Sequence, residues 1–230
     1  MSSVSVASSA LPLHRRVIGI FVSPRAVFAS IREHPRVLGA LLLLVAVNLV
    51  ATFFLLDVIV QDQATALESR PGMTEQQRET ALKMVRITPV FAAVGNLAIV
   101  FVLAGLYLFL ANIVLGGTTN YKTMLSAVLH VGLVAIPSSI VRVPLMLAKG
   151  TTQVSLSPAA FLSADGEKGF LYHLLSQFDI FSLWMIGLSA LAVSVVGGVP
   201  IRKAAITVCA VWAVLFLALA PFASRFTPGG

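Results

Sequence analysis

Apolar residues fall in five long, nearly unbroken runs along the chain: Leu38–Val60, Thr88–Leu115, Met124–Leu147, Ile180–Val199 and Ala204–Ala223. Each run holds about 20 residues or more, enough at about 1.5 Å per residue for a helix to cross a hydrocarbon core about 30 Å thick. A soluble chain of this size could not bury five such helices and keep a polar surface. The pattern predicts an all-α polytopic membrane protein, a bundle of five transmembrane helices.

The connections alternate in kind. Gln61–Ile87 and Lys149–Asp179 are long and polar, whereas runs two and three, and runs four and five, are joined by short basic turns. Both short turns carry paired glycines: Gly116-Gly117 before Lys122, and Gly197-Gly198 before Arg202-Lys203. Paired glycines let a helix end in a left-handed conformation. The two hairpins could be related, but similar turn chemistry is the simpler explanation. In the first long loop, Thr74 and Gln77 form a capping box, and Glu79 and Lys83 an i,i+4 pair, so a helix is expected. The second shows turn signals at Gly150, Ser157-Pro158 and Asp165-Gly166, with short helices over Pro158–Ser163 and Phe170–Phe178.

Ahead of the first span the pattern is different. Residues 1–11 read as a Ser-rich disordered tail, and residues 12–36 as two short amphipathic helices, Leu13–Phe21 and Pro24–Glu33. Ser23 is a candidate cap with Pro24 at the first helical position. Val27, Phe28 and Ile31 share one face, with Arg25 and Arg32 toward the other. Such helices lie in the membrane interface with Arg at anionic headgroups, or pack on the end of the bundle; the two readings are even. The transmembrane domain then covers residues 37–223, and 224–230 form a short tail. No apolar core with a cleavage site follows the first charges, so a cleaved signal peptide is not expected.

Composition agrees with this picture: 58% of residues are hydrophobic and 11% charged, against about 25% charged in soluble domains. The net charge of +7 would suggest nucleic acid in a soluble protein; here it reads as a topology signal and an attraction to anionic lipid. Arg15, Arg16, Arg25, Arg32, Arg36, Lys122, Arg202 and Lys203 fall on one side of the membrane. Arg70, Arg78, Lys83, Arg86, Lys149, Lys168 and Arg225 fall on the other. The Arg-rich flank of the first span decides the orientation: N-terminus cytoplasmic, C-terminus outside, in the bacterial inner membrane. The single cysteine, Cys209, lies in the fifth run and reads as a small packing residue.

Polar residues inside the runs are where chemistry would hide, because each is costly there and needs a partner. Asp57 and Arg142 come to a similar depth near the outer ends of spans one and three, and an intramembrane ion pair between them is expected, structural before functional. Asn48, Asn96, Asn112 and His130 complete the buried polar set, as interhelical hydrogen-bonding groups or the lining of a cavity. Pro137 and Pro144 break span three. Ala190, Ser194 and Gly198 form a small-residue packing stripe in span four. No protease, nucleotide-binding, serine-hydrolase or metal-ligand motif is present, so no residue is assigned to catalysis, a cofactor or a metal ion.

Several short motifs then line up in order: Ser23-Pro24-Arg25-Ala26-Val27-Phe28 with Ile31 and His34-Pro35; Leu115-Gly116-Gly117 with Tyr121-Lys122; Ala127 to Pro137; Asp179-Ile180-Phe181-Ser182-Leu183-Trp184 with Gly187; and Arg202-Lys203-Ala204. From about Leu13 to Ala223 the chain resembles the bacterial branch of the Yip-domain family, named for eukaryotic relatives that interact with Rab-type GTPases. The resemblance implies five spans and a cytoplasmic N-terminus, and brings no catalytic residues. The eukaryotic relatives act in trafficking and membrane shaping through their cytoplasmic N-terminal regions, and the short stretch before Leu38 does not match such a GTPase-docking region. The expected role is a non-enzymatic scaffold or accessory subunit in membrane organisation, trafficking or export, with a protein partner or a second copy. The alternative is a small transporter or permease subunit whose path follows the broken third span past Asn96, His130 and Arg142.

Overall fold

A computed structural model describes residues 11–68, 72–85, 87–154, 156–161 and 170–226. Most of the expected N-terminal tail, the last four residues, the turn expected at Asp165-Gly166 and the last two residues of the helix expected over Pro158–Ser163 lie outside the described residues. Among those described, every regular element is helical: α1 (Leu13–Val22), α2 (Pro24–Glu33), α3 (Leu38–Glu68), α4 (Glu75–Val85), α5 (Thr88–Phe109), α6 (Tyr121–Gly132), α7 (Ala135–Lys149), α8 (Phe170–Ser176), α9 (Ile180–Gly197) and α10 (Ile201–Phe226). Five segments among them are long and apolar enough to cross a membrane: α3, α5, α6 with α7, α9, and α10. This is a multi-pass membrane protein.

The third span is the centre of the bundle. α6 packs against α5, α9, α3, α2 and α1, whereas α10 touches mainly α9 and α8. Every residue from Thr123 to Val131 is buried. The regular helix is interrupted where α6 gives way to α7, at Leu133 and Val134. Pro137 explains the position: lacking an N–H, it cannot bond the carbonyl of Leu133, which instead accepts from Ile136 at 3.0 Å. Pro144 behaves differently. It sits inside α7 and the helix runs on to Lys149, so only Pro137 marks a break.

α1 and α2 cap one end of the bundle, hereafter the basic end. Val27, Phe28 and Ile31, at most 1% exposed, sit in the hydrophobic core, and α2 lies against α9 and α6. Of the two readings of these amphipathic helices, packing on the bundle describes α2. Ser23 makes no side-chain capping bond, while Pro24 does occupy the first turn. At the opposite, far end, the α4 capping box forms as expected, with Thr74 and Gln77 exchanging bonds at 3.0 and 3.3 Å. Glu79 and Lys83 pair at 2.8 Å on its exposed face, worth a few tenths of a kcal/mol at about the usual value for such pairs. α3 runs on past Val60 to Glu68. Cys209 is exposed on α10, so it is not a packing residue inside this chain.

Candidate functional site

At the far end, Arg142 pairs with Asp179, not with Asp57. Asp179 is the N-cap of α9: its Oδ1 accepts from the backbone N–H of Phe181 at 2.8 Å and Ser182 at 2.9 Å. Its Oδ2 takes the Arg142 guanidinium. One carboxylate therefore satisfies two of the orphan amides of a span and neutralises a cation of another one. Asp57 is exposed. The reason is helical phase: α3 buries Ala40, Leu44 and Leu55, and two residues beyond Leu55 is a turn of about 200°, away from the core. Asp62, seven residues beyond Leu55, returns to the packed side. Its Oδ2 accepts from the Thr152 backbone at 2.6 Å, the Thr151 hydroxyl at 3.1 Å and the Thr152 hydroxyl. The carboxylate that ties α3 to the end of span three is Asp62.

The other polar candidates do not share a site. Asn48 bonds the Leu44 carbonyl of its own helix at 2.9 Å. Asn96 is exposed on α5. Asn112 lies in the π-helical turn Leu110–Val114 that ends span two, and clasps Thr119 through both backbone groups at 2.9 and 3.0 Å. A polar contact that sequence reasoning missed joins three spans: Trp212 Nε1 donates to the Tyr107 hydroxyl at 2.9 Å, and Ser189 is a further side-chain partner of that phenol.

The two glycine turns meet each other at the basic end. Thr118 N–H donates to the Gly197 carbonyl at 3.0 Å, and a Cβ on Gly117 would collide with that same oxygen. Gly198 has φ +72° and follows the end of α9; beside it Arg32 reaches from α2 and donates to the Val195 carbonyl at 3.3 Å, placing a cation at the negative end of the helix. The small-residue stripe therefore dissolves into three roles. Ala190 is packed, Ser194 Oγ donates to the Val199 carbonyl at 2.7 Å, and Gly198 is a helix stop.

Beneath α1 lies a cavity of about 510 Å³, lined by Arg16, Arg36, Lys122 and His130 together with Leu13, Pro35 and residues 37–40 at the start of span one. Arg16 is 1% exposed. Its Nε donates to the Leu11 carbonyl at 2.9 Å and Nη2 to the His34 carbonyl at 3.0 Å and Ser30 Oγ at 3.4 Å. Its Nη1 is buried with no partner among the described residues. Burial, and then the nearby charge of Arg36, hold the Arg16 pKa below its ordinary value, and the guanidinium remains charged. His130 is fully buried; Nδ1 donates to the Ser126 carbonyl at 2.6 Å, and Nε2 has no partner among the described residues. Ser126 Oγ in turn donates to the Arg36 carbonyl at 2.9 Å, fixing the floor against the start of span one. Arg36 and Lys122 are exposed at the rim. Among the described residues no carboxylate lines this space.

The Yip1 domain profile matches residues 18–221. The chain belongs to the Yip1-domain family. It is similar to a Bacillus subtilis (strain 168) protein described as "Membrane protein YknW", 31% identical over 191 residues, 80% of this chain and 79% of that protein. No solved structure matches. The motifs that carry the Yip resemblance now have physical roles in this chain. Val27, Phe28 and Ile31 seat α2 on the bundle, Gly117 admits the opposite turn, and Asp179 caps α9 and holds Arg142.

Proposed function

We propose that this Yip1-domain protein is a non-enzymatic scaffold or accessory subunit of a bacterial plasma membrane, with its basic end in the cytoplasm. One observation carries the reading: the polar groups that a permease would string along span three are apart. Asn96 is exposed on α5, His130 lies under α1 at the basic end, and Arg142 is engaged by Asp179 at the far end. The cavity alongside the third span, also about 510 Å³, is a lateral groove between α3 and α7 lined by Val47, Val50, Phe54, Ile140 and Val143, with Ser139 as its single polar side chain. Such a groove suits an acyl chain or another helix and not a hydrated solute. The orientation rests on the cluster of Arg and Lys around α1, α2 and the two glycine turns.

Photo-crosslinkers placed at Val50 and Ile140, exposed in the groove, test the reading in native membranes. A discrete protein adduct, absent when the crosslinker is at Ile206 on α10, is the expected result. Adducts with lipid alone at all three positions would contradict a scaffolding role for this face.

A further inference from the structure

The cavity under α1 is built unlike a packing defect. Two buried polar atoms on different helices, Arg16 Nη1 and His130 Nε2, lack partners among the described residues, and the two residues that carry them line the same space. Leaving such groups unmade is costly, and natural interiors rarely tolerate it unless a water, ion or ligand meets them. The two atoms ask for different things. Arg16 offers a donor carrying positive charge, reinforced at the rim by Arg36 and Lys122, with no carboxylate among the described lining residues. His130 already donates from Nδ1 to a carbonyl, which can only accept, so its neutral ring presents a lone pair at Nε2. An anion that also carries a hydroxyl would meet both demands at once.

We propose that this cavity binds a glycerophosphate group, with the phosphate against Arg16, Arg36 and Lys122 and a glycerol hydroxyl donating to His130 Nε2. The surroundings favour a lipid as its source. Leu13 and Leu38, both lining the cavity, are 40% and 65% exposed, so an apolar rim for acyl chains adjoins a basic floor for a headgroup. Basic pockets at the ends of transmembrane helices bind anionic headgroups in this way. The site differs from a diffuse attraction of the basic end to lipid, because the buried floor sets a stoichiometry and reads the hydroxyl. It stands on the cavity alone and does not depend on the scaffold reading.

The test uses the purified full chain in neutral detergent, with lipid binding followed by native mass spectrometry and thermal shift. The probes are phosphatidylglycerol, phosphatidylpropanol (the same charge without the hydroxyls), phosphatidylcholine and free glycerol phosphate. One saturable phosphatidylglycerol site is expected, with phosphatidylpropanol about fivefold weaker for the loss of one hydrogen bond. Arg36→Gln with Lys122→Gln, both exposed and outside the core, weakens it by about tenfold or more. Arg15→Gln with Arg25→Gln, which removes equal charge from exposed positions off the cavity, changes it less than about twofold. His130→Leu erases the preference over phosphatidylpropanol, a ratio that is insensitive to overall stability. Displacement of the lipid by glycerol phosphate identifies the free anion as a second source; lack of displacement leaves the headgroup as the ligand. Equal loss in the two charge pairs, no saturable binding of either form, or an unchanged lipid preference in His130→Leu overturns the proposal.

Discussion

Replacing Asp179 should damage this protein far more than replacing Asp57, although both are carboxylates near the far end. Asp179 is 7% exposed and accepts two backbone amides and one guanidinium. Losing the cap costs about 1 kcal/mol. Breaking a fully buried pair costs about 3–5 kcal/mol, but the Arg142 side chain keeps 31% of its surface exposed, so a charged hydrogen bond at about 1.5–3 kcal/mol is the better guide. Asp179→Ala is therefore expected to cost about 2.5–4 kcal/mol. Asp179→Asn, which keeps an oxygen for the cap, and Arg142→Gln should each cost about 1.5–3 kcal/mol. Because the two share one contact, the double variant Arg142→Gln/Asp179→Asn should fall short of their sum by at least about 1 kcal/mol. Asp57→Asn should stay within about 0.5 kcal/mol of the parent. Reversible denaturant unfolding in micelles, read by tryptophan fluorescence, measures all five variants. Strict additivity at Arg142 and Asp179, or an Asp57→Asn loss as large as that of Asp179→Asn, would refute the pairing.

Three further outcomes follow from the packing. Gly117→Ala must push its Cβ into the Gly197 carbonyl and should lower thermal stability, whereas Gly187→Ala, with nothing within 4 Å of the new Cβ, should raise it by about 0.5–1 kcal/mol; a thermal shift of the same sign for both would contradict the seam. Asp62→Ala should speed proteolysis or hydrogen exchange in the loop after α7 while leaving the global unfolding midpoint nearly fixed. Tyr107→Phe should shift Trp212 emission, seen cleanly in a Trp184→Phe background, at a cost of about 0.6–1.7 kcal/mol; unchanged emission would mean that the Trp212–Tyr107 bond is not populated.

The spans were legible in the sequence because a bilayer imposes length and hydrophobicity together, and both are linear properties of a chain. The partner of Arg142 was not. Depth in the membrane is one coordinate and helical phase is another, and α3 is apolar nearly all round, so nothing in its sequence marks the side that carries Asp57. The N-cap signal at Asp179, a carboxylate directly ahead of an apolar run, was the readable clue to the true partner. α2 shows the opposite case: alternation of Arg with Val27, Phe28 and Ile31 defined its face, and only the surface that covers it was open. Gly198 read as part of a helical stripe because its spacing fitted, but spacing cannot reveal that the helix has already ended. The basic cavity joins α1 to the basic end of span three, and no local pattern links Arg16 to His130. Among the described residues it appears only once α1 is folded against α6.

The most direct measurement of the central claim is solute flux through liposomes containing the purified protein at known density, under an imposed proton or sodium gradient. A scaffold whose polar groups are separated as they are here predicts no flux above that of protein-free vesicles for ions, amino acids, sugars or small peptides. Saturable, selective flux that is lost on replacing Asn96, His130 or Arg142 would contradict it, and would place a solute path along the third span.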